Sequence, residues 1–286
     1  MYLLHDCNNY GLSFSTSMKT ALSLYQRVRA KVQSLSMVLR FERIGKVTGR
    51  PLALPIDEIV TIGVFWKEAQ IQTKKKLWEL LELVTHCSYK TLVVNLNRFA
   101  WLAGLAITLL LTRNRRTAHL IKHTDSTAIP VCLLKNEKRH KTMAGIATKD
   151  YDGNHYYFGL KLHLTSDLRR SILALRFTTA THDERTVFTE MNEDLTGIFV
   201  ADAGYVSADL ERSFFKEGIR RVLIAARKNM KKLATALDIA LYNTRMLIEL
   251  NFRSLKMFHG LLTSLPRSVN GYLTNYVYSI LSYLIV

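Results

Sequence analysis

Apolar residues recur at helical spacing through the first 118 residues and at strand spacing after them. In "IDEIVTIGVFWKEAQ", Ile59, Val60, Gly63 and Val64 fall on one helical face, and in "TKKKLWELLELV" so do Leu77, Leu80, Leu81 and Val84. A third, longer helix is predicted to begin near "SYKTLVVNLNRFAWL". Two short helices followed by a longer one suit a helix-turn-helix-like DNA module and equally a plain bundle; spacing alone does not separate them. Trp66, Trp78 and Trp101 are expected in the core. "RIGKVTGRPLALP", residues 43 to 55, is a basic linker rich in Gly and Pro that could touch phosphates.

From about residue 118 the period shortens. "AHLIKHTDSTAIPV" alternates and is β-branched, so it predicts a strand. Asp152-Gly153 is a turn signal. Tyr157 to Thr165 and Ser171 to Thr178 predict two antiparallel strands joined at "SDLRR". "HDERTVFTEMNEDL" then reads as a helix, "GIFVAD" as a strand, "VSADLERSFFKEG" as a helix closed by Gly218, and "RRVLIAA" as the last strand. "ATALDIALYNTRMLIELNFRSLK" predicts one long final helix. The expected fold is α/β: a mixed five-stranded sheet flanked by helices, preceded by an all-helical region. The division falls between 1–117 and 118–286.

Charge narrows the partners. Lys plus Arg number 40 against 23 Asp plus Glu, a net charge of +17 over 286 residues. Such an excess points to a polyanion, nucleic acid above all. The cysteines Cys7, Cys87 and Cys132 are few and unpaired in spacing, which argues against a disulfide framework or a zinc knuckle and suits a reducing compartment. The N-terminus lacks the pattern of a signal peptide. "FAWLAGLAITLLL" and "GYLTNYVYSILSYLIV" are short for membrane spans and read as buried helices. The expectation is a cytoplasmic, nucleoid-associated protein with no membrane partner.

Two acids stand where chemistry is done. Asp125 lies in the first strand and Asp202 closes the fourth, straight after apolar Phe199 and Val200. Ligands of open α/β sheets gather at the carboxyl ends of strands, and a buried carboxylate needs a partner or a metal. Glu249 on the final helix is a third candidate, with Arg245, Arg253 and Lys256 around it; a solvated face with i,i+4 ion pairs has the same pattern. Carboxylates from separate elements can hold two Mg²⁺ ions, with Mn²⁺ able to substitute, for phosphodiester chemistry. "KNEKRHK" offers Lys138, Arg139 and Lys141, and "RKNMKK" offers Arg227 and Lys228, as phosphate contacts or as solvated loops. Lys161 and His163 share a strand face and either point to the site or sit satisfied in the sheet. Asp183 is an N-cap or a ligand.

The ordered set "TDST..PVC", "HKT", "YFGLKLHL", "THDERTVF", "ADAGY", "RKNMK" and "IELNFRSLK" resembles a bacterial insertion-sequence transposase, most closely insertion-sequence family 982. The resemblance runs from about Ala118 to Val286 and more weakly back to about Arg50. It implies an RNase H-like fold and an acid triad at Asp125, Asp202 and Glu249, with catalytic and metal-holding roles. The spacing from 202 to 249 leaves no room for a separate inserted domain. Lys256, two turns beyond Glu249, matches the basic residue that follows the acid in such enzymes. The resemblance implies cleavage at transposon ends and joining of 3′ ends to target DNA, with double-stranded DNA (terminal inverted repeats and target) as partner and a homodimer or larger assembly on it. A nuclease without strand transfer, and a non-catalytic DNA-binding remnant, are the rival readings.

Overall fold

The computed structural model describes residues 16–46, 48–49, 51–224 and 235–285. Two compact units account for them. The first holds residues up to 108, 257–261 and 265 onward, and the second holds 109–256 with 262–264. The last helix, which sequence order groups with the sheet, therefore packs with the N-terminal helices.

The helical unit contains α1 (Thr16–Leu39), the short α2 (Phe41–Ile44), α3 (Ile56–Glu68), α4 (Lys74–Thr85), most of α5 (Tyr89–Arg116) and α10 (Val269–Ile285). α3 is buried on nearly every side, from Glu58 through Lys67. Its apolar surface is too broad for a one-faced stripe, so it forms the centre of the unit. Gly63 is there for closeness: a Cβ on it would lie 2.3 Å from the Tyr278 ring of α10. α4 starts at a Thr73 cap whose side chain accepts the Lys76 amide. Leu77 is fully buried, but Leu80 is 45% exposed, so the apolar stripe of this helix is narrower than expected. Trp66 is buried, whereas Trp101 is 48% exposed on α5 and is not a core residue. α5 is also longer than its apolar run suggested. By length and composition it could cross a membrane, but half of its apolar window is buried within the protein.

The second unit is built on a sheet of six strands, one more than expected: β1 (Ile121–Cys132), β2 (Thr148–Tyr151), β3 (Tyr156–Asp167), β4 (Ile172–Thr179), β5 (Gly197–Ala201) and β6 (Arg220–Ile224). The additional strand, β2, reads "TKDY" and is half solvated, so it carries no apolar signal. It forms a hairpin with β3 through the Asp152-Gly153 turn, where Gly153 adopts φ 96° and Asp152 accepts the amides of Asn154 and His155. The strands run in the order β2-β3-β1-β5-β6, and β4 pairs with β3 beside β2. β1 is antiparallel to β3 and parallel to β5, and β5 is parallel to β6. This is a mixed, RNase H-like sheet.

Helices α6 (Glu184–Met191) and α7 (Ala208–Phe214) cover one face of β5 and β6. Phe188, Phe199 and Phe214 meet there edge to face, with Phe188 and Phe214 centroids 4.8 Å apart. α7 stops at Phe214, short of Gly218. That glycine, at φ 68°, turns the chain into β6 within a loop bridged from Lys216 to Arg220. The single final helix expected from periodicity is two: α8 (Ala236–Asn243) and α9 (Met246–Met257). Between them Thr244 donates its hydroxyl to the Leu241 carbonyl at 2.6 Å, and the Thr244 and Arg245 amides close tight turns on Leu241 and Tyr242. Short polar side chains compete with the helical ladder in this way.

Candidate active site

β1 organises the site by simple alternation. His123, Asp125 and Thr127 point to one face of the sheet. On that face each takes a partner from the α8–α9 segment. His123 Nε2 lies 2.7 Å from Thr244 Oγ1, Asp125 Oδ2 accepts Arg245 Nη1 at 2.9 Å, and Thr127 Oγ1 accepts Lys256 Nζ at 2.6 Å. The Thr244 hydroxyl proton goes to the Leu241 carbonyl, so His123 must donate from Nε2.

Asp202 arrives from the next strand. The parallel register pairs Thr124 with Ala201 as its last rung, which brings Asp125 and Asp202 level as the next residue on each strand. Asp202 caps the turn that follows β5, accepting the Ala203 amide at 2.6 Å. The acid at the mouth of "FVAD" is thus a turn residue as well as a candidate site residue. Burial raises the Tyr242 phenol most, and Tyr242 lies near enough to Asp202 for that charge to raise it further. Glu249 lies one turn beyond Arg245 on α9, 56% exposed, and takes Arg245 Nη2 at 2.9 Å. A single guanidinium therefore spans Asp125 and Glu249.

Burial pushes the Asp125 carboxyl up to about 7, a shift that Arg245 and the Ser126 amide oppose and that Asp202 and Glu184 reinforce. Burial lowers Lys256, with Asp152 acting against it. His123 is held down at about 4 by burial.

The even residues of β1 face the other way, and so do Lys161 and His163, since His163 pairs with Ser126 across the β1–β3 ladder. Lys161 is held by Glu184 at 2.9 Å and by Asp150 at 3.2 Å, and Ser126 donates to the same Glu184 oxygen at 2.8 Å. His163 is buried and hydrogen-bonded to Thr178. Asp183 is exposed and caps α6 through the Arg185 amide, while its neighbour Glu184 turns inward. Arg253 is exposed on α9. Lys138, Arg139 and Lys141 lie exposed on and just after a 3₁₀ turn that follows β1. Arg227 and Lys228 lie outside the described residues.

Sequence reasoning passed over Tyr242 and Glu184 as site residues and noted Arg245 only as a basic neighbour of Glu249. "YNTRMLIE" carried a usable signal, because Tyr242, Arg245 and Glu249 recur at helical spacing beside one another. Glu184 had none beyond its place next to a cap.

A mixed sheet of this topology, flanked by helices and carrying two acids level where the pairing of adjacent parallel strands ends, defines an RNase H-like domain. Residues 115–268, more than half of the chain, match the family described as "Transposase DDE domain", and the chain belongs to that family. No curated protein sequence matches it. A solved structure, a cryo-EM structure of a piggyBac transposase synaptic complex with hairpin DNA, is similar with 11% identity and a TM-score of 0.45, covering 93% of this chain and 74% of that chain.

The family uses divalent metal ions. Among the described residues no group of three or more His, Cys, Asp or Glu side chains is drawn close enough to hold one. The donor chemistry nevertheless fits. Asp125, Asp202 and Glu249 supply only carboxylate oxygens, the ligands that hard Mg²⁺ and Mn²⁺ take. A cationic group already links two of the three.

Proposed function

We propose that the chain is a bacterial insertion-sequence transposase of the family 982 type. It cleaves phosphodiesters at the ends of its element and joins the freed 3′ ends to target DNA. The observation that supports the reading best is the level placement of Asp125, within β1, and Asp202, just after β5, one residue beyond the last rung of the parallel β1–β5 ladder, with Glu249 tied to Asp125 through Arg245. Asp125, Asp202 and Glu249 would hold Mg²⁺, or Mn²⁺ in its place. Such ions, when bound, lower the pKa of an attacking water or 3′ hydroxyl and stabilise the leaving oxygen.

The chain's own residues do the rest. Thr127 anchors the Lys256 ammonium beside β1, where it can neutralise one phosphate of a transposon end as a point charge. Tyr242, at the end of α8, lies beside Asp202. Arg253 on the open side of α9, with Lys138, Arg139 and Lys141 after β1, extends the basic surface along a duplex; Arg227 and Lys228 belong to the same proposal. Lys161, neutralised by Glu184 and Asp150, holds the sheet rather than DNA in this arrangement. The partner is double-stranded DNA, as terminal inverted repeats and as target, met in the cytoplasm at the nucleoid by a dimer or larger assembly.

The test supplies Mg²⁺, linear DNA carrying the repeats that flank the gene, and a supercoiled target. Cut ends and joined products are expected from the wild type, and neither from Asp125→Asn or Glu249→Gln. Cutting without joining would leave a nuclease in place of the transposase, and uncut ends with the wild type would end the reading.

A further inference from the structure

Arg245 is placed with unusual support for a residue beside an acidic site. It is the second of the two residues, Thr244 and Arg245, that break α8 from α9. That break is fixed on one side by Thr244 closing on Leu241, and on the other by His123 donating to Thr244 from the buried heart of β1. The side chain is then extended so that one nitrogen reaches Asp125 and the other Glu249, both at 2.9 Å, with only 20% of it exposed. A helical i,i+4 pair with Glu249 alone would need none of this.

We propose that Arg245 is a built-in counter-cation of the site, competing with divalent metal for Asp125 and Glu249, so that metal loading requires its release. The proposal rests on the metal-binding reading given above. A carboxylate oxygen that accepts a guanidinium proton has that lone pair occupied. The guanidinium keeps its charge at any working pH, so it must leave by moving rather than by losing a proton. The sign of one substitution then separates the roles Arg245 could have. If it only props the carboxylates in place, its loss weakens metal binding. If it is a spectator on the helix surface, its loss changes nothing. If it competes, its loss tightens metal binding.

The experiment titrates Mn²⁺ alone into the full chain without DNA, by calorimetry or by the electron paramagnetic resonance of the free ion. Arg245→Gln should bind Mn²⁺ at least about tenfold more tightly than the wild type, which corresponds to about 1.4 kcal/mol. Arg245→Lys keeps the charge but cannot fork across two carboxylates, and should bind with intermediate affinity. Asp125→Asn should bind more weakly than all of them. Equal or weaker binding by Arg245→Gln, alongside weakened binding by Asp125→Asn, overturns the counter-cation role and leaves the metal site standing. Wild-type binding by Asp125→Asn removes the metal site and this proposal together. Thermal melting checks that each variant is folded. If Arg245→Gln does not fold, Arg245→Lys decides by the same sign, since Mn²⁺ binding no tighter than wild type overturns the role.

Discussion

Asp202 ends the run of β5 on a turn that it caps, and His163 lies buried within β3. Asp202 could be read from "FVAD" because an apolar strand that ends on an acid has few bland explanations, and the structure adds the turn it caps. Asp202→Asn keeps that cap and the side-chain shape while removing ligand charge. It should abolish Mg²⁺-dependent cleavage and leave end-DNA affinity within about twofold in a gel-shift titration, because affinity comes chiefly from Lys and Arg at phosphates. His163 could not be assigned from sequence, since a strand histidine serves a site or a sheet equally well. It is buried, and burial holds it at about 4. An unfolded imidazole titrates near 6.5, so between those values the unfolded chain binds the extra proton. The stability tied to neutral His163 is therefore complete above about pH 6.5 and falls toward pH 4, by up to about 1.4 kcal/mol per pH unit. In urea denaturation the stability gap between the wild type and His163→Gln should narrow from about pH 7.5 to about pH 5; a gap independent of pH would show that this histidine titrates alike in both states. Asp125 shifts the other way, but it does so in both proteins and cancels from the difference.

At the scale of elements, strands and their order followed from alternation, while helix ends and breaks did not. The α8–α9 junction is the case that matters. Periodicity runs through "ALYNTRMLIEL" without interruption; the break is made by Thr244 closing on Leu241 and is held from outside by the tertiary bond to His123. β2 was missed because a half-solvated edge strand of four residues has no apolar signature. The register that leaves Asp125 and Asp202 level just past the Thr124–Ala201 rung was likewise invisible, since register is set by how the whole sheet packs. The junction makes a prediction. Thr244→Val keeps the β-branched shape but leaves the His123 donor without its acceptor. It should slow single-turnover cleavage roughly tenfold with end-DNA affinity unchanged, in the range expected when a positioning contact is lost. Thr244→Ser should restore the rate, and a Ser variant as slow as Val would remove the junction from the site. Lys256, at the other end of α9, acts on binding instead. Lys256→Ala should weaken end binding and lower the slope of log affinity against log salt by about one, measured across a salt series; an unchanged slope would make it a prop for Thr127.

For the whole molecule, the excess of 17 positive charges was the feature of the sequence that most directly named a partner class. What charge and periodicity could not reveal was which helices belong together. α10 is an apolar helix at the end of the sequence, and nothing in its own composition says whether it backs the sheet or the helical unit. The answer lies in contacts distant in sequence: Gly63 against the Tyr278 ring, the Tyr278 hydroxyl on the Leu96 carbonyl, and Lys67 on Asn275. A chain ending at Ser264 would expose the Tyr278-facing side of α3. It should bind a hydrophobic dye such as ANS and lose the melting transition of the helical unit, while the sheet keeps its own core of Phe188, Phe199 and Phe214.

That arrangement has a consequence for the order in which the protein comes into being. A ribosome releases α3 long before α10, so the helical unit waits for α10 to close over Gly63. The sheet and the residues of its site emerge complete in the interval. A half-made or prematurely terminated chain therefore carries an assembled site on a body whose other half is still open. Only translation through α10 yields the finished pair of units.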